Sequence, residues 1–128
     1  MNTTHRVTLQ EMVLYCIKNR TPMVFTNWTE GQIANTIYEC IKEGTMSYSV
    51  NEKTGQINGI VLAYRLETDP NNVLVINDIL TTERGVVRKF IQFFRDRFPN
   101  MSIEGTDSKK RWKKYNTPRF AHLIETLT

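Results

Sequence analysis

With 128 residues, 40% of them hydrophobic and 23% charged, the chain can bury a core of its own and is too apolar to stay disordered. No apolar run approaches the ~20 residues that cross a bilayer. The net charge of +4 is unevenly placed. Residues 1–80 carry six Lys/Arg against eight Asp/Glu, and residues 81–128 carry eleven against five, so an anionic partner is expected at the C-terminal third. The opening "MNTTHRVTLQEM" has neither segment of a secretory leader, which gives the expectation of one cytoplasmic domain over residues 1–128 with no membrane contact. Cys16 and Cys40 lack CxxC spacing and a histidine cluster, so they read as buried thiols and not as metal ligands. His5 and His122, near opposite ends, suggest no role.

In chain order, Thr8 and Glu11 form a capping-box pair, with Val7 and Met12 spaced for a hydrophobic staple. Leu9, Met12, Val13, Cys16 and Ile17 then follow helical spacing to about Arg20, and Pro22 stops the helix. A second helix is expected from Thr29, with Gln32 completing a capping box. Ile33, Ile37, Cys40 and Ile41 form its stripe, and Gly44 its C-cap. The period then changes to alternation. "TMSYSV" and "QINGIVLAYRLE" predict a hairpin through "NEKTG", and after the turn "TDPNN" the run "VLVINDIL" predicts a central strand covered on both faces.

A helix follows from Gly85, with Val87, Phe90, Ile91, Phe94 and Phe98 on one side, and Pro99 ends it. "MSIEG" predicts a short strand, parallel to the preceding one after the helical crossover. "SKKRWKKY" predicts a basic helix, and Thr117-Pro118 opens a last helix, "RFAHLIETL". The predicted class is α+β in the order α-α-β-β-β-α-β-α-α, a mixed antiparallel and parallel sheet flanked by helices.

Two features carry chemistry. A helix that starts at a glycine directly after a strand offers bare amides and about half a positive charge, a seat for phosphate. Gly85 is equally explained as a residue that relaxes a tight turn. The run Lys109, Lys110, Arg111, Lys113 and Lys114, interleaved with Trp112 and Tyr115, offers phosphate contacts and stacking for nucleic acid, or simply a solvated helix face.

The element order, with "GQINGIVLAYRL" and "VLVINDILTTERGVVRKFI", resembles the GNAT superfamily of N-acetyltransferases over roughly residues 29–116, most of all its short phage-encoded members. The shared features are the Ile57-x-Gly59 pattern, the central strand ending in Asp78-Ile79, and a loop with arginine and glycine that feeds a helix. The chain departs from the family's loop pattern at Thr82, where Arg or Gln is usual, and at Val87, where a small residue is usual.

The resemblance implies acetyl-CoA as cofactor. Ile79, Leu80 and Thr81 would face its pantetheine arm, and Thr82, Arg84, Gly85, Val86, Val87 and Arg88 would surround its phosphates. It also implies direct attack of a small-molecule or protein amine on the thioester, polarised by strand amides near Leu80. Tyr115, on a helix after the last strand, would protonate the thiolate, and a carboxylate, Asp78 or Glu67, would serve as base. Plainer readings stand beside these: Trp112 and Tyr115 as a packed helix face, Asp78 as a turn anchor, Glu67 as surface charge. The other function the sequence allows is a catalytically inactive scaffold of this shape that binds nucleic acid or a host or virion protein. Host cytoplasm is the expected place for a viral member.

Overall fold

The computed structural model describes residues 6–22, 24–68, 71–106 and 111–115. Its elements are α1 (Leu9–Asn19), α2 (Glu30–Glu43), β1 (Met46–Val50), β2 (Ile57–Thr68), β3 (Asn71–Thr81), α3 (Val86–Arg97), β4 (Ser102–Thr106) and β5 (Trp112–Lys114). The architecture is α+β. One five-stranded sheet runs β1-β2-β3-β4-β5, antiparallel except for the parallel β3–β4 pair, and the described residues include three helices.

The helix ends follow the local sequence. Thr8 accepts the Glu11 amide at 3.1 Å, and its hydroxyl meets the Glu11 carboxylate at 3.2 Å, so the first cap is half of the expected box. Thr29 and Gln32 complete theirs reciprocally. Gly44 closes α2 at φ +71°, the left-handed conformation that favours glycine. A side chain there would run into the Arg97 guanidinium, whose Nε donates to the Gly44 carbonyl at 2.8 Å and ties the end of α2 to α3.

Alternation along β2 divides the core in two. Ile60 and Leu62 point into a cluster with Met12, Cys16, Ile33 and Ile37 under α1 and α2. Val61 and Ala63 point the other way, into a cluster with Leu74, Phe90, Phe94 and Ile103 under α3. Each such fully buried aliphatic or aromatic side chain contributes ~1.5–3 kcal/mol. Gly59 explains the Ile57-x-Gly59 pattern physically: a Cβ there would collide with Val86 and come within 3.1 Å of the Phe90 ring. The missing side chain is what lets α3 lie close on the sheet.

The expected basic helix is corrected. Trp112–Lys114 is strand β5, antiparallel to β4, with Thr106 opposite Trp112 and Glu104 opposite Lys114. Lysine and arginine favour helix locally, but the free edge of β4 offers backbone partners to the chain that returns beside it, and tertiary pairing overrides propensity. The last predicted helix, 117–127, lies outside the described residues. Among those residues no helix is long and apolar enough to cross a membrane.

Candidate functional site

The site begins where two parallel strands part. β3 and β4 pair from Val73–Ser102 to Ile76–Gly105, and there the pairing stops. β3 continues through residues 77–81, bonded to β2 alone among the described strands. At that point the β3 ladder is bulged: Ala63 faces Ile76 and Leu62 faces Asp78, which leaves Asn77 as the extra residue. A bulge reverses side-chain parity and re-aims the residues beyond it. Ile76 therefore faces α3, while Asp78 and Leu80 face α1 and α2. Ile79 returns to the α3 side, where it packs on that cluster.

β3 runs into a turn and then α3. Gly85 is the N-cap, at φ +83° and ψ −8°, with no side-chain cap. Among the described residues, nothing lies within 4 Å of where its Cβ would stand, so they leave the backbone there open. The amides of Val86 and Val87 belong to the first helical turn and have no intrahelical acceptor by geometry. Arg84 and Arg88 are exposed on either side.

The six loop residues do not act alike. Val86 is buried in the α3 core, so only its amide can meet a ligand. Val87, at 38% exposure, projects into solvent and leaves the turn open. The Thr82 hydroxyl turns to the α1 side, accepting from the Tyr15 hydroxyl and donating to the Asn58 carbonyl, both at 3.3 Å.

The two candidate carboxylates are far apart. Asp78 is 8% exposed, its Oδ2 accepting from the Asn77 side-chain amide at 2.9 Å. Burial pushes its carboxyl up to about 6, against the opposing pull of Asn77. Asp78 adds to the rise of the Cys16 thiol, which burial pushes up to about 12, and of the Cys40 thiol, so both cysteines stay protonated and unreactive. Glu67 pairs with Asn72 at the other end of β2. It lies eight residues from Gly59, or ~27 Å along the strand, so the fold does not bring it to the turn.

Tyr115 follows β5 and is not on a helix. Its amide donates to the Ile103 carbonyl at 2.6 Å, its hydroxyl donates to the Thr106 carbonyl at 3.0 Å, and its ring packs beside Gly105. The tyrosine thus sits at the end of β4 where the parallel pairing ends, with its proton engaged by the backbone. In β5 the cations alternate across the sheet instead of circling a helix. Trp112 and Lys114 share one face with Glu104, whose carboxylate takes the Trp112 indole N–H at 2.6 Å and is held below its usual range chiefly by that bond. Lys113 points to the other face, and Lys109 and Lys110 lie outside the described residues.

Two polar residues that periodicity did not single out adjoin the turn. Tyr15 lies within the α1 stripe, and burial raises its phenol above its ordinary value. Asn58, a polar residue inside an apolar run, carried the one signal that could have marked it. It is 4% exposed, it is the extra residue where β1 and β2 change register, and among the described residues its Oδ1 has no hydrogen-bond partner. An orphaned buried acceptor costs ~1–3 kcal/mol.

No protein-family model matches the chain, and no curated protein matches it.

Proposed function

We propose that the chain is a divergent acetyl-CoA-dependent N-acetyltransferase of GNAT-like form. One observation carries the reading: a parallel strand pair that ends at Ile76–Gly105, with the surviving strand leading to an uncapped helix that opens on a left-handed glycine. The edge of Ile79–Thr81, unpaired on the β4 side among the described strands, would take an amide-bearing pantetheine arm as if it were another strand. The Val86 and Val87 amides, with Arg84 and Arg88, would hold the diphosphate, and the space over Gly85 admits it without a clash.

Backbone amides near Leu80 would polarise the acetyl carbonyl. With acetyl-CoA bound, the acceptor nitrogen would bond to that carbon as the C–S bond breaks. Asp78, ionised at neutral pH, would take the proton from the amine, and Tyr115 would supply one to the departing thiolate once its hydroxyl left the Thr106 carbonyl. A thermal-shift titration tests the binding step. Acetyl-CoA at 100 times its dissociation constant should stabilise by about 2.7 kcal/mol, several degrees in a domain of this size. No shift at millimolar acetyl-CoA sinks the reading.

A second reading, an inactive scaffold that binds nucleic acid or another protein, is favoured by one feature. Trp112, 54% exposed, stands beside Lys114 on the edge strand. Quenching of Trp112 fluorescence by single-stranded DNA, weakening as salt rises, would support it.

A further inference from the structure

The described sheet has two outer strands, and they differ in what they present. β5 carries Lys113 and Lys114, charges that keep an edge from pairing with a copy of itself. β1, "MSYSV", carries no charge, no proline and no glycine. The irregularity in its ladder lies on β2, where Asn58 is the extra residue, so β1 itself is not bulged. It lacks the usual devices that protect an edge.

The hydrogen bonds at its two ends show which backbone groups point outward. The Thr45 carbonyl accepts the Ala63 amide at 2.9 Å, and the Asn51 amide donates to the Gln56 carbonyl at 2.8 Å, so both residues turn to β2. Along an antiparallel ladder this orientation alternates. Ser47 and Ser49 therefore also turn to β2. Met46, Tyr48 and Val50 turn their N–H and C=O groups away from it, and among the described residues those groups have no partner. All five residues of the strand are half-buried.

An antiparallel copy of β1 fits this edge row by row. With a two-fold axis at Tyr48, Tyr48 pairs with Tyr48 of the second copy and Met46 with its Val50, and every outward N–H meets an outward C=O. Apolar rows then form on the face where Met46 and Tyr48 pack, and Ser47 meets Ser49 on the other. The same register, carried past Val50, sets Glu52 of one copy beside Gly44 of the other, whose carbonyl holds the Arg97 guanidinium. Glu52 and Arg97 are exposed, and among the described residues neither has an ion-pair partner. Phe93, 39% exposed, lies one turn before Arg97 on the same face of α3, and Ile41, 45% exposed, lies in the last turn of α2 before Gly44. Both stand near the head of β1.

We propose that β1 is a homodimer interface, at which two copies of the chain pair their β1 edges antiparallel into one continuous sheet. A foreign strand would gain the same backbone bonds, but the matched rows and the Arg97–Glu52 pairing select a second copy. This interface lies across β2 from the opening between β3 and β4 and does not depend on the acetyl-CoA reading. Its small area makes the dimer weak and concentration-dependent, with a dissociation constant in the micromolar to millimolar range.

Sedimentation velocity of the full chain, from micromolar to millimolar concentration, should show the 15.0 kDa monomer giving way to a species of twice that mass. Over the same range, amide exchange at Met46, Tyr48 and Val50 should slow several-fold, while Ser47 and Ser49, already turned to β2, should change little. Val50→Pro removes an outward N–H that makes no bond within the described chain, so it should abolish the dimer with Tm nearly unchanged. Glu52→Arg, in the exposed turn, should weaken dimerisation several-fold. A chain that stays monomeric throughout leaves the edge to a foreign strand and overturns the proposal. So does a dimer that forms without slowing exchange at Met46, Tyr48 and Val50, or one that neither substitution weakens.

Discussion

Residues 73–76 of β3 are bonded on both edges, to β2 and to β4, and their side chains fill the core on both faces. Among the described strands, residues 77–82 of the same segment are bonded to β2 alone, and they carry Asn77, Asp78 and the two threonines Thr81 and Thr82. The bulge at Asn77 divides the two stretches. Where both edges are paired, the residues hold the sheet. Where one edge is free, polar groups and an uncapped helix start collect, at some expense in stability.

Substitutions that act on only one stretch test this contrast. The largest effect is expected from Leu74→Ala in the doubly paired stretch, where truncating a fully buried leucine should cost about 2–5 kcal/mol, read as a lower urea midpoint.

Asp78 should do the opposite. Its carboxyl is raised from 3.8 to about 6 in the folded chain. The folded state thus binds the proton more tightly, and the stability this adds is complete below about pH 4 and lost as pH rises through about 6. Wild type should lose about 1–3 kcal/mol across that window through this group. Asp78→Asn should flatten that part of the profile and be the more stable protein at pH 7. An unchanged profile would show that Asp78 is solvated in the fold.

Gly85 separates turn from ligand. Gly85→Val should cost about 1–2 kcal/mol, because φ +83° strains a side chain even where space is open. Asparagine tolerates that conformation, so Gly85→Asn should fold nearly as well yet bind acetyl-CoA at least about tenfold more weakly, ~1.4 kcal/mol. Equal affinity in wild type and Gly85→Asn would leave the glycine serving the turn alone.

The smallest effect is expected from Tyr15→Phe. It removes a single hydrogen bond to Thr82, at 3.3 Å, and should cost about 0.5–1 kcal/mol by calorimetry.

Helix caps and strand periods were legible because they depend on neighbours a few residues away. Thr8, Thr29 with Gln32, and Gly44 act where the sequence places them, and "VLVINDIL" is the central strand it resembles. Gly85 was legible as a strand-to-helix junction for the same reason. The strand at Trp112–Lys114 was not, because a free β4 edge decided it, and that edge exists only after β3, α3 and β4 have assembled. Glu67 and Asp78 looked like equivalent carboxylates. Strand pairing puts one at the far end of β2 and the other at the bulge.

By itself the sequence determined the first two helices, the three strands after them, the two-sided burial of the third and the glycine at the head of α3, since short-range sterics and hydrogen bonding set them. Only the tertiary structure decided the rest: that β4 leaves β3 at Ile76, that one extra residue turns Asp78 toward α1 and α2, and that Asn58 comes to stand behind Tyr15 and Thr82. Register between strands depends on partners that lie far apart in the chain, so no window of neighbouring residues contains it.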